Sequence, residues 1–349
     1  MCIRPRRVVV ALLAGTVAWA LALATQGGTA EPPHNGDELK SLAPPALYQL
    51  EAAYGRVRGQ GVTALKNAIN NSKERVRHIE FAFDGASRRI TETVTKDSFP
   101  ASGTTSGASS IFVASPNYCF RLQRKTADKP YATIWMGRGE DKPEYDGLRD
   151  VMDTHNQMFC RPFILPTELR LATLIRHPSF VAKEVSSTTA AGLPAVRVVF
   201  EASAPDDKQD PLYLWRNSAP LSGWFVACPQ QSWALHAYEL NWRHQKKIPM
   251  KDMGTLEYQG GDRFPLLKRA KNVMYANGRV STEESIELSD LSFGPSPAEE
   301  FSPAAFGLAA ADPAPRGQRS IAVWVLLIGC LSLGVAVGLR LMYRLTMKR

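Results

Sequence analysis

Residues 320–339 read SIAVWVLLIGCLSLGVAVGL, twenty residues without a charge. In hydrocarbon every backbone amide and carbonyl needs a partner within the protein, so a lone run of this kind has one stable form, a helix. At about 1.5 Å of rise per residue it matches the roughly 30 Å core of a bilayer. The ten residues after it, RLMYRLTMKR, carry Arg340, Arg344, Lys348 and Arg349 and no acid. That basic excess predicts a cytoplasmic C-terminus, with the preceding chain on the other side of the membrane.

The N-terminus agrees. MCIRPRR is a short basic segment, residues 8–24 are apolar, and small residues lead to Gly28-Thr29-Ala30. We read residues 1–30 as a signal peptide cut after Ala30, an uncleaved anchor being the alternative. The chain holds 42 Lys+Arg against 33 Asp+Glu, a net charge of +9. Once Arg4, Arg6, Arg7 and the four basic tail residues are set aside, 35 basic groups face 33 acidic ones. The basicity is therefore a topology signal, and a nucleic-acid partner is not expected. Cys2 leaves with the signal and Cys330 lies in the apolar run, so at most one disulfide can form among Cys119, Cys160 and Cys228.

Between these ends the pattern is mostly of period two. Residues 31–45 are polar with Pro and Gly, and read as a flexible lead-in. Leu47, Leu50, Tyr54 and Val57 then share a helical face over residues 46–58, and a second short helix is expected over 62–74. From His78 the alternation of Ile79, Phe81 and Phe83, followed by Asp84-Gly85, predicts a hairpin returning through Ile90 and Val94. Further strands are expected near 118–123, 131–136, 180–185, 195–201, 212–215, 223–227, 233–243, 255–259 and 268–276. Asn277-Gly278 is a second hairpin signal, leading to a last strand with Val280, Thr282, Ile286 and Leu288 on its apolar face and Glu284 as the one break. Residues 138–178 stand apart as loop and short helices, near 148–158 and 166–175, suited to cover one side of a sheet. The expectation is ten to twelve antiparallel strands in one domain over residues 46–308, with a Pro/Ala stalk at 309–319.

No glycine-rich phosphate loop, GxSxG, HExxH or zinc spacing occurs. His155 and Cys160 lie five apart, too little for a metal or thiol site. Glu283-Glu284 are strand neighbours that point to opposite faces and cannot share a substrate. We expect no catalytic residue, no metal and no cofactor, a hydrolase without a recognisable motif being the less favoured alternative. Cys330, Gly334 and Gly338 repeat the small-xxx-small pattern, a candidate surface for a partner helix or a homodimer.

The helix near Ala46, the hairpin HIEFAFDGASRRITETV, the segment SGWFVACPQQSWALHAYELNWR, the closing hairpin over 254–288 and the end EEFSPAAFGL together resemble the bacterial lipoprotein-carrier superfamily, the LolA/LolB-like fold shared with the RseB sensor domain. The resemblance covers residues 46–308 and rests on patterns, not invariant motifs. It implies a mainly β (α+β) domain, an incomplete antiparallel β-barrel with helices on its concave side. It also implies a concave apolar cavity for a lipid or lipoprotein ligand. Candidate lining residues are Phe81, Phe83, Tyr118, Phe120, Leu122, Trp135, Val198, Phe200, Tyr238, Leu240 and Trp242. A tether excludes a diffusing shuttle and leaves a periplasmic acceptor, sensor or accessory envelope subunit.

Overall fold

The computed structural model describes residues 33–68, 73–99, 105–116, 118–138, 161–166, 169–203, 212, 221–244, 248–260 and 264–308. The signal peptide expected at 1–30, the stalk expected at 309–319, the apolar run at 320–339 and the basic tail lie outside them. No helix among the described residues is long and apolar enough to cross a membrane. The chain forms two compact units, Met1–Pro297 and Ala298–Arg349.

The first unit is built on one antiparallel sheet of thirteen strands, in the order β6-β5-β4-β3-β2-β1-β15-β14-β13-β12-β11-β10-β9. They are β1 (Val57–Asn67), β2 (Lys73–Asp84), β3 (Ser87–Asp97), β4 (Ser109–Ala114), β5 (Tyr118–Arg124), β6 (Ala132–Arg138), β9 (Val181–Ala190), β10 (Leu193–Ala202), β11 (Leu221–Cys228), β12 (Ala234–His244), β13 (Ile248–Gln259), β14 (Leu266–Ala276) and β15 (Arg279–Phe293). First and last strands pair at the centre, and β6 and β9 are the edges. The turns are those the sequence signals. Gly85 (φ 61°) joins β2 to β3, and Asn277 (φ 52°) with Gly278 (φ 73°) joins β14 to β15, both positive-φ positions that suit the strand twist.

Helix α1 (Gly36–Tyr54) begins ten residues before its expected start, so the flexible lead-in is folded from Gly36 on. Asn35 caps it, its Oδ1 accepting from the amides of Asp37 (3.0 Å) and Glu38 (2.9 Å), while Glu38 accepts from the amide of His34 (2.7 Å). Pro44 and Pro45 sit in its interior. Each proline costs about 3 kcal/mol against alanine in a free helix. Burial of Leu39, Ala43, Leu47, Leu50 and Tyr54 along one stripe offsets this, since a buried leucine contributes about 2 kcal/mol. The helix expected over 62–74 is instead strand: β1 runs through residue 67 and β2 starts at 73. Ladders to both β15 and β2 override the local helical pattern. Gly61 fits there because a Cβ would meet the carbonyl oxygen of Glu287 at 2.3 Å.

Helix α1 lies across the strands. Gly36 abuts Ala182 of β9, and Tyr54 at the other end meets Phe293 of β15 at 5.3 Å between ring centroids. Six strand spacings make about 29 Å, close to the length of a nineteen-residue helix. We call the face beneath it inner. Residues 161–166 and 169–180 join the same layer through the two-residue strands β7 (Ile164–Leu165) and β8 (Leu169–Arg170) and the short helix α2 (Leu171–Arg176). Phe163, Leu165, Leu171, Leu174 and Ile175 are buried in one cluster with α1 and the inner face. The covering role expected of the excursion therefore holds for its C-terminal part, where the helix is shorter than expected; the helix expected near 148–158 lies outside the described residues. The outer face carries exposed cross-strand pairs such as Arg269–Glu287 (2.9 Å) and Lys271–Glu283 (2.6 Å), worth at most about 1 kcal/mol each.

The described part of the second unit is two short 3₁₀ turns, Ala298–Phe301 and Pro303–Phe306, the latter capped by Ser302 and ended by Gly307 at φ 68°. The two units divide between Pro297 and Ala298.

Candidate binding face

Strand register sorts the candidate residues. Phe81 pairs with Ile90, Ile90 with Phe112, and Phe112 with Arg121, so these four share the inner face. Val113 pairs with Phe120, and Ile111 with Leu122, which puts Phe120 and Leu122 on the opposite face. The eleven residues therefore do not line one cavity. Tyr118 begins β5, and its side chain is outside the described residues. Phe81, Phe83, Val198, Phe200, Tyr238 and Leu240 are buried in the inner cluster, and Trp135 and Trp242 pack against its rim. Phe180 stacks on Phe200 at 5.5 Å, and Phe200 meets Phe225 at 5.9 Å. In this conformation these aromatics pack on protein.

Further along the strands the inner face becomes polar. Asp252 is 2 % exposed and accepts from Trp242 Nε1 at 2.8 Å. Burial pushes its carboxyl upward, opposed by hydrogen bonds from Trp242 and Asn272 and by the Arg161 charge. The Tyr238 hydroxyl donates to Asn272 Oδ1 at 3.2 Å, and burial raises its pKa as well. The Tyr238 ring lies against Gly254, where a Cβ would come within 2.1 Å of it. Arg161 Nη2 donates to Glu284 at 2.7 Å. Glu284, the break in the apolar pattern of the last strand, is thus an inward ion pair. On the other side of β1, Arg75 pairs with Asp97 (3.0 Å) and Arg77 with Glu92 (3.1 Å).

Apolar layer and polar band meet at a crevice bounded by Arg161, Tyr238, Leu256, Asn272, Glu284 and Ile286. Its volume is about 10 Å³, room for about one water. Sequence reasoning named Tyr238 but missed Asp252, Asn272 and Arg161. The alternation Met250, Asp252, Gly254, Leu256 carried the signal for Asp252, a lone acid in an inward register. Cys119 and Cys228 are buried free thiols, and burial raises both, Cys119 to about 12, which disfavours the thiolate. Cys160, and the helix-packing candidates Cys330, Gly334 and Gly338, lie outside the described residues.

No protein-family model and no curated protein matches the chain. Among solved structures it is similar to a domain assigned to outer-membrane lipoprotein sorting from Vibrio parahaemolyticus, with 12 % identity, a TM-score of 0.37, and coverage of 76 % of this chain and 99 % of that one. A DUF1329 family protein from Desulfovibrio piger gives 7 %, 0.38, 76 % and 98 % in the same order. A LolA superfamily protein from Nitrosomonas europaea gives 10 %, 0.33, 75 % and 97 %.

Proposed function

We propose that this chain is a non-catalytic binding module, held outside the cytoplasm by a helix over residues 320–339, which takes an amphipathic, acyl-bearing ligand against the inner face of its sheet. The observation that carries the reading is the junction at the crevice of a continuous apolar layer with a band of buried and half-buried charged and hydrogen-bonding groups. The ion pairs of this band are half-buried and the Asp252 carboxylate is buried, and such groups contribute little to stability compared with apolar residues of the same size. A purely structural layer has no need of them, whereas a site that takes both an apolar chain and a polar end does. The acyl class is the one the sequence resemblance implies.

One observation favours a second reading, an envelope scaffold without a ligand: Phe81, Phe83, Phe200 and Tyr238 already pack on protein, each 2 % exposed or less. Native mass spectrometry of the detergent-solubilised full chain separates the two. A released mass of several hundred daltons that extracts into organic solvent supports the module. A bare polypeptide mass, unchanged after incubation with a short-chain phospholipid, supports the scaffold.

A further inference from the structure

Arg121 lies at the middle of β5 on the inner face. Its register partners are Phe112 on β4 and Trp135 on β6, so an aromatic residue stands on either side. The guanidinium carbon sits 5.1 Å from the centre of the Phe112 ring. Nε is fully buried and has no hydrogen-bond partner among the described residues. One row along, Ser110 and Gln123 occupy the same face, and Glu92 beside Ser110 already accepts from Arg77 at 3.1 Å. Arg88, two strands away on that face, adds positive charge. Among the described residues no carboxylate pairs with Arg121.

An arginine carries five donors in a planar fork, and leaving a buried one unmatched is costly. Stacking on an aromatic ring stabilises the cation and holds its plane, leaving the fork free to meet an oxyanion through two parallel hydrogen bonds. From this geometry we infer that Arg121 is an anion-binding residue, presenting its guanidinium to the carboxylate or phosphate end of a ligand whose apolar part lies along the inner face. The anion site rests on the side chain itself; its link to an apolar chain rests on the function proposed above.

The test uses the detergent-solubilised full chain and follows thermal unfolding in phosphate-free buffer with four separate additions: inorganic phosphate, dodecyl phosphate, laurate and dodecanol. Variants are Arg121→Met, which keeps the stem, and Arg121→Lys, which keeps the charge but not the fork. Without additive, Arg121→Met unfolds at the same temperature as the parent or higher, because an unmatched buried donor is gone; a clear drop would make Arg121 a structural residue and overturn the inference. Inorganic phosphate raises the midpoint of the parent and not of Arg121→Met. The two amphipathic anions act at concentrations about tenfold lower than dodecanol on the parent, and Arg121→Met loses that preference, with Arg121→Lys between. The order of laurate and dodecyl phosphate tells a fatty-acid end from a phospholipid end. Phosphate stabilisation without any effect of the alkyl probes would keep the anion site and sink the acyl reading. Alkyl binding indifferent to head charge, or equal phosphate effects on parent and Arg121→Met, would sink the anion site and spare the module.

Discussion

Asp252 and His236 show how two buried titratable groups act in opposite directions. His236 shares a hydrogen bond of 2.8 Å with Gln231 Oε1 and packs edge-on to Tyr258, and burial lowers its pKa. The unfolded chain binds a proton there more readily, so stability is lost as pH falls below about 6.5. Asp252 is raised, so the folded chain binds its proton more readily; its penalty is present at neutral pH and is relieved as pH falls toward the unfolded value of about 3.9. Urea midpoints measured from pH 8 to pH 4 separate the two. His236→Gln flattens the loss below pH 6.5, and Asp252→Asn raises the midpoint at pH 7 while removing the gain on the acid side. An unchanged profile in Asp252→Asn would mean that the carboxyl is not held against its preference. Gly254 is a steric case. A methyl there collides with the Tyr238 ring, and Gly254→Ala costs about 2 kcal/mol of unfolding free energy, measured by denaturant titration.

At the scale of elements, α1 illustrates a helix that tertiary contacts hold against its own propensity. Pro44 is buried and Pro45 exposed, and both lack the amide that would reach back one turn. Pro45→Ala restores a donor on the solvent side and raises stability by about 1 kcal/mol in urea titration, reduced by the freer unfolded chain. No change or a loss would mean that the surrounding packing is shaped around Pro45. The C-terminal end of α1 is held by polar contacts: the Tyr54 hydroxyl donates to the carbonyl of Pro265 (2.9 Å) and accepts from the amide of Leu267 (3.0 Å). Tyr54→Phe leaves that amide and carbonyl buried and unpaired, a cost of about 1–3 kcal/mol. The last strand shows what alternation cannot tell. A register shift between Met274 and Tyr275 puts an extra residue at the start of β15, and Val280 is 39 % exposed although it shares parity with Ile286 and Leu288.

For the whole molecule, the sheet order explains why residues 161–166 and 169–180 lie where they do. Strands β1 to β6 run outward from the centre to one edge, and β9 to β15 return from the other edge to the centre. The chain must cross the width of the sheet once, between β6 and β9, and part of that crossing supplies the inner layer beside α1. The tether proposed for residues 320–339 makes a separate prediction at this scale. The full chain stays with membranes through an alkaline carbonate wash, and a chain ending at Leu308 does not. Protease added to spheroplasts cuts the domain while the basic tail stays protected; release of the full chain by carbonate would remove the tether.

The antiparallel class, both glycine hairpins and most strand positions were legible from the residues alone, because alternation and turn chemistry are local and carry their own physical cause. The start of α1 was not, since its prolines argue against a helix and only burial of Leu39 and Ala43 against distant strands reverses that balance. Strand β1 escaped for the same reason: its partners, β2 and β15, include one more than two hundred residues away. Of the candidate face, the aromatic residues were visible as inward positions of single strands. Which of them share a face, and the meeting of Asp252, Asn272, Tyr238, Arg161 and Glu284 at one crevice, depend on register between strands, a relation that no single segment of sequence contains.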